Sequence, residues 1–282
     1  MPEWNPALLL QSVLFTPLHP LLLDFKASDF PRVDDLNALL AARRPTITVQ
    51  SGLPLRFVAH QPEKLPFEMQ YEPRCYLHGK VQMRSEAWHD LFNALVWMTF
   101  PKAKAAINAR HYLDLTSASG NPNRRSAVRD TVTLFDESGT VVACADTGLG
   151  QLLRDFKWKE LFWQRRQQVN ASMGFYLFGH GLYQKALQPY IGMTGQGLLV
   201  VVEQQFFSWP LARQLGYLDE RLAAYLNAPE HCRNTRELAP VPILGVPGWA
   251  TGNLREDYYD NISYFRSRRQ ERQQVSEPTS LE

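Results

Sequence analysis

Cysteine is scarce in this chain. The 282 residues hold three, Cys75, Cys144 and Cys232, an odd number with no C-x-x-C spacing. That excludes a disulfide framework and a thiolate zinc site. Charge of one sign is missing too: 30 basic side chains face 28 acidic ones, a formal +2, too little for the overall field to attract nucleic acid or a membrane surface. Long apolar runs are absent. Ala7 to Phe25 is interrupted by Gln11, Ser12, Thr16, Pro17, His19 and Pro20 with no basic stretch before it, and Leu198 to Val202 runs straight into Glu203. A membrane span needs about 20 apolar residues, so the chain is expected to be soluble, cytoplasmic and without a membrane partner. The strings G-x-x-x-x-G-K-[ST], G-x-G-x-x-G after a strand, H-E-x-x-H and G-x-S-x-G do not occur. The nucleotide P-loop, the dinucleotide turn, the zinc-protease helix and the serine-hydrolase elbow are thereby excluded.

What is present is a globular composition, 45% hydrophobic and 21% charged, enough apolar material for one sizeable core. The pattern predicts helices over Val33–Ala42 (begun by Ser28 or Asp29), from Ser85 to about Thr99, and from about Lys102 to Leu113 behind Pro101. Further helices are predicted over 149–169, over 179–187, and after Ser208 and Pro210, the last with Leu211, Leu215, Leu218, Leu222 and Tyr225 on one stripe. Extended pieces are predicted at 46–49, 55–59 and 197–206. A β-hairpin is predicted at 131–145, its two β-branched runs flanking Asp136-Glu137-Ser138-Gly139. Residues 61–79 read as a proline-built loop, and the chain after Pro229 as a surface wrap. Helices and a few strands without βαβ alternation indicate an α+β, helix-rich single domain with a small sheet. The domain covers residues 1–265, and 266–282 form a disordered polar tail.

Polar residues fall in unexpected places. On the helix after Ser85, His89, Asp90, Asn93 and Trp97 share one arc, opposite Trp88, Leu91, Phe92, Leu95 and Met98. His89 and Asp90 could both address a third group, or simply satisfy nearby backbone groups. Lys104, Asn108 and His111 make an i, i+4, i+7 stripe on an alanine-rich helix, which could either meet the first stripe or lie in solvent. Arg129-Asp130 precedes the expected hairpin. Asp136 and Glu137 are ordinary residues for a turn. His180 stands between Gly179 and Gly181, which permit close backbone approach. Gln184 and Lys185 follow it. The segment Arg154 to Arg166, with Lys157, Trp158, Lys159, Phe162 and Trp163, could stack on nucleic acid, but its aromatics are better explained as core.

These features in this order resemble a bacterial family known as domain of unknown function 3025. The resemblance is carried by Trp88-His89-Asp90-Leu91-Phe92-Asn93-Ala94-Leu95-Val96-Trp97 and by Phe100-Pro101-Lys102-Ala103-Lys104 with Asn108 and His111. Arg129-Asp130, Leu134-Phe135-Asp136-Glu137, Phe178-Gly179-His180 with Lys185, Pro189-Tyr190, 242–249 and Tyr258-Tyr259-Asp260 continue it. It implies no activity, but it links the polar residues as one set. Family members are expected often to carry an acidic residue where this chain has Gln184, which weakens a metal site using that position. The expectation is an enzyme, a metal-dependent hydrolase acting on a small anionic substrate, with His89, Asp90 and His180 as catalytic groups. His89, His111 and His180 would be ligands of a divalent metal, and Asn93, Lys104, Asn108, Arg129 and Asp130 would contact the substrate. The alternative is a non-catalytic ligand-binding protein whose pocket is closed by Trp249. Nucleic-acid binding is the weaker third reading, and the sequence carries no sign of oligomeric state.

Overall fold

In the computed structural model, residues 3–25, 29–61, 65–117 and 126–267 are described. The centre is a helical pair. Helix α5 (Trp88–Thr99) is buried along almost its whole length, and Phe100 turns the chain into α6 (Pro101–Thr116), with Pro101 at the first helical position. Ala103, Ala105, Ala106 and Ala109 are buried on α6. This small-residue side lets α11 (Leu211–Asn227) approach closely, burying Leu215, Leu218, Leu222 and Leu226. Three short helical segments, α1 (Pro6–Gln11), Val13–Leu18 and α2 (His19–Leu22), bury Leu14, Phe15, Leu18 and Leu22. Phe15 stacks on Phe92 of α5 and on Tyr183.

The strands form two sheets. β1 (Arg56–Ala59) and β2 (Lys80–Met83) pair in parallel, joined through α4 (Tyr71–His78), while α3 (Val33–Ala41) packs on β1. The larger sheet has the order β4-β3-β5-β6, built from β3 (Gly139–Cys144), β4 (Met173–Leu177), β5 (Thr194–Val201) and β6 (Ala239–Pro242). β3 is central and buried throughout, antiparallel to β4 and parallel to β5. The molecule is therefore an α+β single domain, as its composition predicts. Cys75, Cys144 and Cys232 are buried free thiols. Among the described residues no helix is long and apolar enough to cross a membrane.

Several expectations are overturned. There is no hairpin at 131–145. Its first half is α7 (Ala127–Ser138), started by Ser126, whose hydroxyl accepts from Arg129 N. Only the second half is a strand, β3, and it pairs with β4 and β5. The β-branched composition suggested a strand, but Val128, Val132 and Phe135 recur at helical spacing and pack inward, so burial of one face overrides local propensity. The single helix expected over 149–169 is broken into α8 (Thr147–Arg154), a π turn (Glu160–Gln164) and α9 (Arg166–Ser172). Phe156 lies between them at φ +59°. Apolar residues on two faces reflected these breaks. The proline loop at 61–79 contains α4, which ends on Gly79 in the left-handed region at φ +66°. The segment after Pro229 adds the edge strand β6, and α3 begins at Val33 with Arg32 as its N-cap. The expected tail lies outside the described residues beyond Ser267.

Asp219 of α11 ties the central pair together. Its carboxylate accepts from Lys102 N at 3.0 Å and Ala103 N at 2.8 Å, satisfying two first-turn donors of α6. Burial nevertheless pushes Asp219 up to about 6, against the two amide bonds. A carboxyl with a folded pKa above its unfolded value of 3.8 favours the folded state while protonated and loses that contribution as pH rises through about 6. Asp219→Asn is therefore expected to flatten the decline in unfolding free energy between pH 4 and pH 7 by about 2–3 kcal/mol. Parallel urea titrations of the two proteins check this, and identical slopes would refute it.

Candidate metal centre

Helix α7 presents Arg129, Thr133, Asp136 and Glu137 on the face opposite its apolar one, and all four line a cavity of about 430 Å³. His89 and Asn93 of α5, one turn apart, line it as well. So do Tyr71 and Glu72 of α4, Gln82, Arg84, His60, Asp90, His111 and His180. His180 is the first residue of α10 (His180–Ala186), with Gly179 as N-cap. The glycines on either side of it are explained by contact with α7. A Cβ on Gly179 would lie 2.6 Å from the Glu137 carbonyl carbon, and one on Gly181 would lie 2.5 Å from Glu137 Oε2. Only glycine lets the end of α7 and the start of α10 meet.

Three side chains converge there. His180 Nε2 is 3.4 Å and His89 Nε2 3.7 Å from the same oxygen, Glu137 Oε1. The ligand atoms all lie within 4.8 Å of one another. These gaps are longer than the 2.7–3.2 Å of a good hydrogen bond. They approach the ligand–ligand edge of a tetrahedral site with bonds of 2.0–2.1 Å, about 3.3–3.4 Å. The two imidazole rings sit edge to face, with centroids 4.5 Å apart.

The other ring nitrogens look outward. His89 Nδ1 lies 3.2 Å from Gln184 Oε1. His180 Nδ1 is 3.8 Å from Asp136 Oδ2 and has no hydrogen-bond partner. Asp136 in turn accepts from Lys104 Nζ at 2.5 Å, and that lysine is almost fully buried. Burial pushes the Asp136 carboxyl up, but the Lys104 ammonium and His180 outweigh it and hold it below the usual carboxylate range. Beside Glu137, the His180 ring does the same against the cost of burial.

The remaining expected site residues separate. Asp90 lines the cavity, but both its oxygens are engaged by Arg84: N and Nε on Oδ2 at 2.7 and 2.9 Å, and Nη2 on Oδ1 at 2.7 Å. His111 is buried and lines the cavity, but it stands outside the three-ligand cluster; its electrostatic neighbours are Glu72 and Asp136. Asn108 is buried and donates to Glu72 O at 3.0 Å and to Glu72 Oε2 at 2.6 Å, fixing that side chain. Burial raises the Glu72 carboxyl, opposed by His111 and Asn108. Asn93 donates to Tyr71 Oη at 2.7 Å, and its Oδ1 is unpartnered. Lys104 and Asn108 thus stand behind the cavity wall. Asp130 is exposed and does not line the cavity, and Trp249 packs on Phe175 away from it. Of the basic aromatic segment, Trp158 and Phe162 are core, Lys159 pairs with Glu256 and Asp260, and Arg166 lies over Trp163.

Glu137 is the member of the cluster that sequence reasoning missed, because it was placed in a turn. The signal was the spacing 129, 133, 136, 137, one helical face complementary to the apolar one. Tyr71 and Glu72 were hidden in the supposed proline loop. A family model described as protein of unknown function (DUF3025) matches residues 55–269, which include every residue named above as lining the cavity. No curated protein and no solved structure matches the chain.

Proposed function

The chain belongs to the DUF3025 family, whose description assigns no activity, and from the site alone we propose that it is a metal-dependent hydrolase of a small anionic molecule. His89, Glu137 and His180 are the metal ligands. The observation that carries this reading is the convergence of His89 Nε2 and His180 Nε2 on Glu137 Oε1 at near-tetrahedral separations. A divalent metal held there would lower the pKa of a bound water and polarise a substrate oxygen.

The chain's own residues do the rest. Three protein ligands leave further coordination positions toward the cavity, as in catalytic sites and unlike closed structural ones. Gln184 accepts from His89 Nδ1, and Asp136 faces His180 Nδ1. Such an outer partner sets the tautomer of His89 and aims its Nε2 at the metal, whereas Asp136, 3.8 Å from His180 Nδ1, acts on that ring by charge alone. A glutamine is sufficient for that task, so the departure from an acidic residue at this position does not remove a ligand. The cavity volume is in the range of small-molecule sites, and a cytoplasmic setting fits the three buried thiols.

Metal content tests the reading. Chelator-stripped protein, reloaded separately with zinc, manganese and iron(II), is expected to retain one ion per chain by elemental analysis. His89→Ala, His180→Ala and Glu137→Gln should each lose it, while His111→Ala and Asp90→Asn should keep it. If the wild type retains no ion, or the three ligand variants retain as much as it does, the cluster is an ion-pair group and the proposal fails.

A further inference from the structure

The four carboxylates of the cavity are each answered within the fold. Asp90 is bound by Arg84, Asp136 by Lys104, Glu72 by Asn108, and Glu137 faces the two histidines. Arg129 is different. It is half-buried, it lines the same cavity, and among the described residues no hydrogen bond or ion pair holds its guanidinium. His60, also on the cavity wall, has no side-chain partner among the described residues either. Of the two guanidinium groups on the cavity wall, Arg84 is paired with Asp90, and Arg129 has no carboxylate partner among the described residues. A guanidinium there offers a planar fork of donors suited to a carboxylate or phosphate.

Its distance from the metal ligands decides what it can recognise. Arg129 and Glu137 stand on one stripe of α7, eight positions apart, with Thr133 between them. At 1.5 Å per residue, their backbone positions are about 12 Å apart along the axis. Both side chains lean toward the helix N-terminus, so the longer Arg129 side chain carries its guanidinium away from Glu137, and a single phosphate at the histidine cluster is not expected to reach it.

We infer that Arg129 forms an oxyanion subsite distinct from the metal centre, so that the substrate carries a carboxylate or phosphate remote from the bond that reacts. Simple phosphate monoesters, in which the anion is itself the reacting group, would leave Arg129 unused. The assignment of the reacting end rests on the proposed metal centre; the oxyanion subsite does not.

Isothermal titration of chelator-stripped protein with inorganic phosphate, and in parallel with acetate, separates the two ideas. The wild type is expected to bind at least one of these anions with millimolar affinity that weakens as salt is raised. The acetate arm tells whether the fork prefers a carboxylate. Arg129→Ala should lose at least tenfold in anion affinity and Arg129→Lys less, while both keep the wild-type metal content. His180→Ala should keep the anion affinity although it loses the metal. Absence of anion binding by stripped wild type, or equal binding by Arg129→Ala, would overturn the subsite. If His180→Ala instead keeps its metal while Arg129→Ala loses the anion, the metal reading falls and the subsite stands.

Discussion

Lys104→Met is expected to destabilise the fold by about 3 kcal/mol, because it leaves the largely buried Asp136 carboxylate without its ammonium partner. The lysine ammonium is buried between α6 and α7, 2.5 Å from Asp136 Oδ1 and 5.6 Å from the Trp97 ring. The buried pair itself is worth little relative to an apolar replacement, so the cost comes from breaking it on one side only. Adding Asp136→Asn to Lys104→Met should therefore recover most of the lost stability in urea unfolding. It should not restore the outer contact of His180, so metal affinity is expected to stay about 10–100-fold weakened. A double variant as unstable as the single one would mean that Lys104 stabilises the fold by some route other than Asp136.

Gly179→Ala is the second large effect. The new Cβ would sit 2.6 Å from the Glu137 carbonyl carbon and closer still to the amide nitrogens of Ser138 and Gly139. All three are backbone atoms where α7 runs into β3, the central strand of the sheet, and they cannot step aside cheaply. Overpacking costs about 1–3 kcal/mol, occasionally more, and a backbone clash belongs at the upper end. Metal binding should fail together with stability. Gly181→Ala gives a useful contrast: its Cβ meets the Glu137 carboxylate at 2.5 Å and the Glu137 carbonyl oxygen at 2.9 Å. The carboxylate can swing away, so Gly181→Ala should lose metal affinity while its urea midpoint moves much less. Equal losses of stability in the two variants would contradict this account of the glycines.

How much of this was legible in the sequence depends on the period of each segment. The helices α6, α10 and α11 are readable because Pro101, Gly179 and Pro210 mark their starts, and α5 by its apolar period, though it begins at Trp88 and not directly behind Ser85. The polar stripe Lys104, Asn108, His111 was readable as well, but not its depth. Nothing in an alanine-rich helix says that its lysine is enclosed by an aspartate from another element. The α7 segment was misread because Thr131, Val132, Thr133 and Thr140, Val141, Val142 share one β-branched composition while only the second group lies in a strand. That error moves Glu137 from a helix end to a turn and hides its nearness to His89 and His180. His89 and His180 stand out in the sequence as polar residues in unusual places, whereas their convergence, 91 positions apart in the chain, is a product of packing between α5 and α10. The burial of Lys104 and the convergence of the cluster need contacts between elements distant in sequence, whereas α4, α7 and the broken 149–169 segment turn on local period and composition.

His89, Glu137 and His180 are proposed to form one metal-binding shell. X-ray absorption at the metal edge of the zinc-loaded protein tests it most directly. The account predicts two imidazole nitrogens at about 2.0–2.1 Å and one carboxylate oxygen at about 2.0–2.2 Å, with the remaining scattering from light oxygen donors. His180→Ala and His89→Ala, which do not retain the ion, should lose this bound-zinc signal altogether. A shell containing sulfur, or one with no imidazole, or a spectrum unchanged by either substitution, would place the metal elsewhere and contradict the account.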